Sequence, residues 1–247
     1  MEQEITKTST VPGTPAVTKR YAVLMAAYNE AELIQSTLLA AAQIPGVVGL
    51  VLADDGSSDA TAQLAMRAGA FVVNNKRNLG KGSAMELAAA ALEQIQPFGA
   101  LDGVLLLDAD VGESASAAAA LLEPLAADTA DLVIGILPTP PGRAGFGLAR
   151  SLARDGIFEF GRGFESQAPL SGQRALTLSC LERVRPFASG YAMEVDMTIR
   201  ALQQHQRVME LPVAMQHRHT GRNLKGFVHR GRQFNQINRL LNSYYRR

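Results

Sequence analysis

Apolar segments of strand length alternate with amphipathic segments of helix length through the first 137 residues of this 247-residue chain. The predicted elements are strand 21–26, helix 30–42, strand 47–53, helix 59–68, strand 71–73, helix 82–94, strand 104–107, helix 114–126 and strand 132–137. Strands that alternate with helices at this spacing need crossover connections, and such crossovers build a mainly parallel sheet. The pattern therefore predicts an α/β fold with a Rossmann-like first half.

From Pro138 onward the alternation is weaker. A glycine- and proline-rich segment, 138–147, predicts a lid or a linker. The elements predicted after it are helix 148–160, helix 192–204, strand 207–213 and helix 224–245. With no internal repeat and no second core pattern, residues 19–247 are expected to form a single domain with a first half of about 19–137 and an elaborated second half. Residues 1–18, rich in Thr, Ser, Pro and Glu, are expected to be a disordered tail.

The composition narrows the class of protein. Hydrophobic residues make up 47% of the chain and charged residues 19%, which is ordinary for a globular protein. No segment approaches the roughly 18 apolar residues that a membrane span requires, and no signal-peptide pattern is evident. The single cysteine, Cys180, excludes an intramolecular disulfide framework and suits a reducing compartment. We therefore expect a cytoplasmic protein.

Positive charge is concentrated at the C-terminal end. No Asp or Glu follows Glu210, and the last 37 residues carry eight Lys or Arg, although the net charge is only +1. Such a segment predicts an anionic partner or a solvated helix face, and the absence of a recognised reading module argues against nucleic acid. The terminal helix also carries an apolar stripe of Phe227, Phe234, Ile237, Leu241 and Tyr244. This helix could make a peripheral contact with an anionic membrane, form a homodimer or pack against the domain, and packing is the favoured interpretation.

Two carboxylates end the most apolar predicted strand. Asp108 and Asp110, separated by Ala109, follow four large aliphatic residues at 104–107. Such a strand is buried on both faces of a parallel sheet, and open α/β sheets bind ligands at the carboxyl ends of their strands. Two hard oxygen ligands at that edge suit a divalent cation that would in turn hold a diphosphate. For an isolated D-x-D, the alternative is a plain surface turn.

Further polar clusters follow the other predicted strands and are expected to converge on the same edge. They are Tyr28-Asn29-Glu30, Asp54-Asp55-Gly56-Ser57 and Asn78-Leu79-Gly80-Lys81-Gly82. Asp54 and Asp55 could accept hydrogen bonds from a base or a ribose, or residues 54–59 could merely turn and cap a helix through Asp59. Gly80-Lys81-Gly82 before a helix suits phosphate or ribose contact but also a simple turn, and it is not a Walker A motif.

Together these motifs resemble family 2 of the glycosyltransferases, which has the GT-A fold. The matching segments are 26–30 (AAYNE), 54–59 (DDGSSD), 78–82 (NLGKG), 107–110 (LDAD), 171–175 (SGQRA) and 190–194 (GYAME). The resemblance covers roughly residues 20–220. Within the family the chain is similar to glucosyl-3-phosphoglycerate synthases, mannosylglycerate synthases and polyprenyl-phosphate sugar transferases. It lacks the C-terminal membrane helices of many of the last group.

The resemblance implies a site for a nucleotide-sugar donor in the first half. The residues that it assigns to donor binding are Ala27, Tyr28, Glu30, Asp54, Asp55, Lys81, Asp108 and Ala109. Asp55 or Asp54 would read the base, and Lys81 would reach the ribose or the diphosphate. Asp108 would point toward the ribose or a metal-bound water.

A divalent cation, Mg²⁺ or Mn²⁺, is also implied by the resemblance. Asp110 would be its first ligand, with Asp108 beside it, and His217 or, as second choice, His219 would complete the site. The cation would neutralise charge on the leaving nucleoside diphosphate. The alternative for both histidines is a surface position in a basic loop.

The second half is expected to bind the acceptor. The residues implied in acceptor or phosphate binding are Gly172, Gln173, Arg218, Arg222 and Lys225, of which the arginines can bind phosphate bidentately. Glu194 matches an acidic position that faces the acceptor, as the general base of an inverting enzyme or as an orienting group of a retaining one. Asp196 is the second catalytic candidate. Alternatively, both carboxylates only complement the dipole of a helix.

The expected function is metal-dependent transfer of a hexose from a nucleotide sugar of the UDP-glucose or GDP-mannose type to a hydroxyl or phosphate acceptor. The basic C-terminal segment favours an anionic acceptor, either a small molecule or a lipid phosphate. A sugar-phosphate nucleotidyltransferase is one alternative, although its usual G-x-G-x-R loop is missing after the first strand. A non-catalytic nucleotide-sugar-binding scaffold is another, although Asp108, Asp110 and Glu194 argue against it.

Overall fold

In the computed structural model, the described part of the chain comprises residues 19–94, 99–138, 147–216 and 224–246. Within these ranges the strands are β1 (Tyr21–Ala27), β2 (Val47–Asp54), β3 (Phe71–Asn74), β4 (Gly103–Asp108), β5 (Leu132–Ile136), β6 (Arg174–Thr177) and β7 (Val208–Pro212). The α-helices are α1 (Ile34–Ala42), α2 (Thr61–Arg67), α3 (Lys81–Gln94), α4 (Glu123–Ala126), α5 (Gly147–Phe160), α6 (Leu178–Val184), α7 (Met193–Gln203) and α8 (Leu224–Tyr244). Within the same ranges, 3₁₀ helices span Gly112–Leu121 and Gly190–Ala192. The predicted tail, 1–18, lies outside the described residues.

The seven strands form one sheet in the order β3-β2-β1-β4-β6-β5-β7. The neighbours β1–β2, β1–β4, β2–β3 and β5–β7 are parallel, whereas β6 runs antiparallel to β4 and β5. The predicted α/β class, with a mainly parallel sheet flanked by helices, is therefore confirmed. This order puts β1 and β4 at the centre of the sheet, so that their carboxyl ends lie in the middle of the edge where such sheets bind ligands.

The sequence pattern predicts neither β6 nor the helix α6 that comes after it. β6 has four residues and begins with the charged Arg174, so that neither an alternation nor an apolar run marks it. Its register pairs Arg174 with Leu106 of β4 and with Ile134 of β5. Because β6 is antiparallel to β4, its first residue lies at the edge where β4 ends.

The predicted helix 114–126 is divided in the structure. A 3₁₀ helix runs to Leu121, and α4 begins at Glu123 with Pro124 in its first turn. Proline has no amide hydrogen, so it cannot continue the hydrogen bonding of a preceding helix, but it is well tolerated in the first turn of a new one. The proline therefore divides the single predicted helix into two segments.

Alternate side chains of the central strands enter two hydrophobic clusters on opposite faces of the sheet. Val23 and Met25 of β1 pack with α1 and the longer 3₁₀ helix, whereas Leu24 packs with α3 and α7. All three are completely buried. Each such side chain contributes about 1.5–3 kcal/mol when it leaves water, so burial on both faces holds the central strands firmly beneath their carboxyl edge.

A third cluster joins α5, α7 and α8 outside the sheet. Ile237, Leu241 and Tyr244 of the terminal apolar stripe are buried in it, which confirms the interpretation that this stripe packs against the domain. Phe234 lies at the margin of the stripe with 36% of its surface exposed, and the side chain of Phe227 is outside the described part. No helix within the described ranges is both long enough and apolar enough to cross a membrane.

Candidate active site

The carboxyl ends of β1, β2 and β4 bring the predicted polar clusters to one edge of the sheet. In the parallel register Ala27 lies opposite Asp54, and Ala26 lies opposite Asp108. The antiparallel β6 contributes its beginning, so the segment before Arg174 reaches the same edge. Residues that are far apart in the chain thus meet at one edge of the sheet because their strands end there.

Asp108 is the centre of a network of short polar contacts. Lys81 Nζ lies 2.6 Å from its Oδ1, and Gln173 Nε2 donates a hydrogen bond to its Oδ2 at 2.7 Å. The backbone amide of Asp108 donates in return to Gln173 Oε1 at 3.2 Å. The two-way contact with Gln173 orients the carboxylate, and the ammonium group compensates its charge.

Lys81 connects Asp108 to a carboxylate from the second half of the chain. Its Nζ lies 2.7 Å from Oε1 of Glu194, whose side chain is only 5% exposed. Burial alone would lower the pKa of Lys81, but the carboxylates of Asp108 and Glu194 outweigh it and raise this pKa above its ordinary value. The lysine is therefore charged at neutral pH and holds one carboxylate from each half of the chain.

Gly172 makes room for this cluster. A Cβ atom added to Gly172 would lie 2.6 Å from Lys81 Nζ and 2.7 Å from Asp108 Oδ2, closer than any side-chain carbon tolerates. The structure thus brings the predicted acceptor residues Gly172 and Gln173 directly against Asp108. A side chain at position 172 would separate the lysine from the aspartate.

Gly82 has a different neighbour from the one that its motif indicates. A Cβ atom at this position would overlap the carbonyl group of Ala188, because the first turn of α3 packs directly on the segment 188–190. The second glycine of Gly80-Lys81-Gly82 therefore admits the protein's own backbone rather than a ligand. This close approach brings Lys81 next to α7.

Asp55 is buried and fully occupied by protein groups. Its Oδ1 accepts hydrogen bonds from the amide of Leu79 at 2.9 Å and from Asn75 Nδ2 at 2.8 Å. Its Oδ2 accepts from the amide of Gly80 at 2.7 Å. The carboxylate therefore shapes the loop that leads into Lys81.

Asp54 has one buried carboxylate oxygen that makes no hydrogen bond with the described residues. Its Oδ2 accepts a hydrogen bond from the amide of Ser57 at 3.2 Å, whereas its Oδ1 is buried without a hydrogen-bond partner among the described residues. A buried acceptor left unsatisfied costs about 1–3 kcal/mol. Of the two aspartates assigned to the base, Asp54 is therefore the one that retains an unused acceptor.

Hydrogen bonds to short side chains connect the turns after β1 and β2. The amide of Asn29, a residue with a positive φ of 56°, donates to Ser57 Oγ at 2.9 Å, and the amide of Glu30 donates to Thr61 Oγ1 at 2.8 Å. Asp59 accepts from the amides of Thr61 and Ala31 at 3.0 and 3.1 Å, but the N-cap position of α2 is Ala60, so the expected N-cap role of Asp59 is wrong. These bonds form a fixed wall beside Tyr28, which remains 47% exposed.

Thr37 fixes the turn between the two carboxylates of D-A-D, a role that the sequence does not reveal. Its hydroxyl lies 2.9 Å from the carbonyl oxygens of both Ala109 and Leu33, which share its one hydrogen, and it accepts from the amide of Gly112 at 2.9 Å; Thr37 is completely buried. Asp110, partly buried, lies within the turn held in this way. A threonine in the middle of a helix carries no pattern that would mark this contact in advance.

Asp196 faces the terminal helix. The hydroxyl of Tyr244 donates to its Oδ1 at 2.7 Å, and Arg200 lies 3.7 Å from its Oδ2. The structure therefore gives Asp196 a packing partner on α8, while Glu194, one helical half-turn earlier, contacts Lys81. A catalytic role for Asp196 stays a prediction.

The carboxylates of Asp108 and Asp110 supply hard oxygens of the kind that Mg²⁺ and Mn²⁺ prefer. No cluster of three or more His, Cys, Asp or Glu suited to a metal occurs in the part of the chain that the structure describes. A complete coordination shell would need additional oxygens from a diphosphate or water, or ligands from elsewhere in the chain. His217, His219, Arg218 and Arg222 lie outside the described residues, and Lys225 is described only as part of the backbone of α8.

A known protein family matches the part of the chain that contains most of these residues. The model described as "Glycosyl transferase family 2" matches residues 22–172, more than half of the chain. The chain belongs to glycosyl transferase family 2. The match covers the wall after β1 and β2, Lys81, the D-A-D turn and Gly172.

Two kinds of relative agree with this family. Glycosyltransferase AglJ of Haloferax volcanii is 31% identical over 183 residues, which are 72% of this chain and 56% of AglJ. The chain thus spans little more than half the length of this relative. Two structures of glucosyl-3-phosphoglycerate synthase from Mycobacterium tuberculosis are 25% identical, and each alignment covers 91% of this chain and 79% of that one. One is in complex with phosphoglyceric acid (TM-score 0.72), the other with Mn²⁺, UDP-glucose and phosphoglyceric acid (TM-score 0.71). The expected GT-A fold is confirmed.

Proposed function

We propose that this protein transfers a hexose from a nucleotide sugar to an anionic acceptor, with a divalent cation at Asp108 and Asp110. One observation carries the proposal: Lys81 Nζ lies within 2.7 Å of both Asp108, at the end of β4, and Glu194, at the start of α7. The carboxylate assigned to the donor and the carboxylate assigned to the acceptor are therefore next to each other. This is the arrangement that a group transfer between two bound molecules requires.

The choice of substrates draws support from the relatives. The similar structure of glucosyl-3-phosphoglycerate synthase contains Mn²⁺, UDP-glucose and phosphoglyceric acid. We infer a UDP-hexose as the first donor to test, GDP-mannose as the second, and a phosphorylated or carboxylated hydroxy compound as acceptor. The eight Lys and Arg residues after Glu210 favour an acceptor of this charge.

On the donor side, the nucleotide displaces Lys81 from Asp108. Lys81 then contacts the ribose or the diphosphate, where its positive charge is useful. Asp54 accepts a hydrogen bond from the base through its unused Oδ1, and the exposed face of Tyr28 lies against the nucleotide. A bound cation supplies Lewis-acid stabilisation of the charge that develops on the departing diphosphate.

On the acceptor side, the movement of Lys81 exposes Glu194. In an inverting reaction Glu194 takes the proton of the acceptor hydroxyl while the new bond from that oxygen to the sugar forms and the bond from sugar to diphosphate breaks. In a retaining reaction the same carboxylate orients the acceptor. Both versions need Glu194 to be ionised and close to Asp108.

Calorimetric titration of UDP, GDP, UDP-glucose and GDP-mannose, each with and without Mn²⁺, tests the donor. We expect one nucleotide and its sugar to bind with metal dependence. Asp110→Asn should remove the metal dependence, while Asp155→Asn, an equal change of charge at an exposed position, should leave it unchanged. If none of the four compounds binds, the result contradicts the proposed function and favours a different role for the cleft.

We also propose that α8 makes a peripheral contact with anionic membrane surfaces through its outer face. Arg232, Arg239 and Arg246 recur every seven residues, are exposed and lie opposite the buried stripe. Because that apolar stripe packs within the domain, contact would be made by charge at the level of the headgroups, and it would weaken as salt is added.

Sedimentation with vesicles tests this contact. We expect binding to phosphatidylcholine vesicles that contain phosphatidylglycerol, no binding to phosphatidylcholine alone, and loss of binding when the three arginines are changed to glutamine. Equal substitution of the exposed Arg67, Arg154 and Arg183 is the matched control. Vesicle binding that survives in the α8 variant would contradict the assignment of this face.

A further inference from the structure

Arg174 heads the set of large side chains that are completely buried in the described part of the chain. A buried guanidinium is costly unless its charge and its donors find partners. Arg174 makes no ion pair with a carboxylate of the described residues, and its Nη2 has no hydrogen-bond partner among them. A buried guanidinium without an ion pair is costly, so we expect Arg174 to have a role other than packing.

The hydrogen bonds of Arg174 join two parts of the site. Its Nε donates to the carbonyl of Ser171 at 2.8 Å, and its Nη1 donates to Thr198 Oγ1 at 2.9 Å. The hydroxyl of Thr198 in turn donates to the carbonyl of Glu194 at 2.9 Å. Arg174 therefore ties the loop that delivers Gly172 and Gln173 to the first turn of α7.

The surroundings of Arg174 contain more negative charge than its hydrogen bonds reveal. Burial lowers the pKa of Arg174 to about 10, against the opposing effect of the Glu194, Glu210 and Asp108 carboxylates. The guanidinium is thus still charged at neutral pH. It acts at longer range on the same two carboxylates that Lys81 contacts directly.

Two carboxylates that share one ammonium group repel each other when that group leaves. Lys81 is a flexible side chain with 24% of its surface exposed, so it can exchange partners. Arg174 is enclosed on all sides, and two of its nitrogens are held by Ser171 and Thr198. It is therefore the cation that stays in place.

We propose that Arg174 is a positioning residue for the transfer step. It holds the Gln173 loop and Glu194 at one spacing, and it remains as the cation near Asp108 and Glu194 when Lys81 moves onto the donor. The movement of Lys81 rests on the proposed function, whereas the spacing rests on the contacts of Arg174 alone.

A double-mutant cycle tests the shared charge without any substrate. Lys81→Met, Arg174→Met and the double variant are compared by thermal unfolding. Because each single variant keeps one cation, we expect the double variant to lose several degrees more in Tm than the two single losses combined. Strictly additive losses would overturn the shared role. If Arg174→Met does not fold, Arg174→Lys takes its place in the cycle, and there the charge should be retained and the losses additive; a loss beyond additivity would then count against the proposal.

Kinetics test the positioning. With UDP-glucose, Mn²⁺ and 3-phosphoglycerate, we expect Arg174→Lys to lower kcat about 100-fold, since a displacement of about 1 Å has effects of this size. The Kd of UDP with Mn²⁺ should change less than about threefold. The control is Arg200→Lys, since Arg200 also anchors α7, through the carbonyls of Val184, Arg185 and Pro186.

Two results of the kinetics and one of the binding measurement are decisive. A fall of kcat in Arg174→Lys alone supports the positioning role. An equal fall in Arg200→Lys would mean that the effect is one of general stability, and it would overturn the proposal. A wild-type protein that binds none of the nucleotides would refute the proposed function, and the unfolding cycle would then still decide the role of Arg174.

Discussion

Asp55 follows β2 and Asp108 ends β4, the two strands on either side of β1, yet these two carboxylates are held in opposite ways. Asp55 accepts hydrogen bonds from two backbone amides and one side-chain amide, all from its own half of the chain. Asp108 is held by the long side chains of Lys81 and Gln173. Asp55 is thus held mainly by backbone groups of fixed position, and Asp108 by side chains that can move.

The difference has a physical basis. Backbone amides occupy fixed positions once the chain has folded, so the hydrogen bonds of Asp55 are complete before any ligand binds. A lysine side chain can rotate away without disturbing the fold, which leaves Asp108 able to exchange one partner for another. We therefore expect changes at Asp55 to act on stability first, and changes at Asp108 to act on the reaction first.

The largest effect is expected for Asp108→Asn. Loss of this charge removes a ligand for the cation and the partner of Lys81, so transfer should fall by about 1,000-fold, within the range known for the removal of one electrostatic group from an active site. The Tm should change by only a few degrees, because the amide can still contact Gln173. Activity assays and thermal unfolding check this together, and a variant that fails to fold would contradict the expected difference between Asp108 and Asp55.

Glu194→Gln should come next. It retains the shape of the side chain but cannot accept a proton, so transfer should slow by about 100-fold or more, the contribution typical of a general base. Binding of the nucleotide with Mn²⁺ should be unchanged, as measured by calorimetry. Wild-type turnover in this variant would end the role assigned to Glu194.

Asp55→Ala is expected to act on stability. It removes the buried acceptor of the amides of Leu79 and Gly80, and loss of these two hydrogen bonds should lower the free energy of unfolding by about 1–3 kcal/mol, since each typically contributes about 0.5–1.5 kcal/mol. Urea unfolding measures this loss. Asp155→Ala, at an exposed position, is the control and should be close to neutral.

The smallest effect is expected far from the cleft, at Asp131. Hydrogen bonds from Arg207 hold the pKa of Asp131 below its ordinary value. A carboxyl group with a lowered pKa stabilises the fold above its unfolded pKa of about 3.9, and this contribution is lost as the pH falls through the folded value. The difference in stability between wild type and Asp131→Asn should therefore be present at neutral pH and vanish in acid. A difference that grows on acidification would contradict the assignment.

Much of this site was open to prediction because parallel strands impose a common edge. Tyr28, Asp54 and Asp108 come after apolar segments at regular spacing, and parallel strands bring the residues at their carboxyl ends into one row. For Lys81 the local pattern was not sufficient, because Gly80-Lys81-Gly82 before a helix suits a simple turn equally well, and its expected place at the donor side rested on the resemblance to the family.

The partners of those residues could not be predicted in the same way. The contact of Lys81 with Glu194 depends on how α3 packs against the segment before α7, and the contact of Thr37 with Ala109 depends on how α1 packs on the sheet. Both join residues that are far apart in the chain and have no pattern in common. Arg174 was hidden for a related reason, since a four-residue strand with a charged first residue resembles a loop.

The backbone contact between Gly82 and Ala188 has a consequence for surveys that substitute every position in turn. An alanine at 82 would push α3 off the neighbouring segment, and the loss of activity would look like the loss of a phosphate contact. A ligand-free readout such as protease resistance would separate the two explanations. In a motif defined by glycines, then, the severity of a substitution does not measure how near the substrate lies.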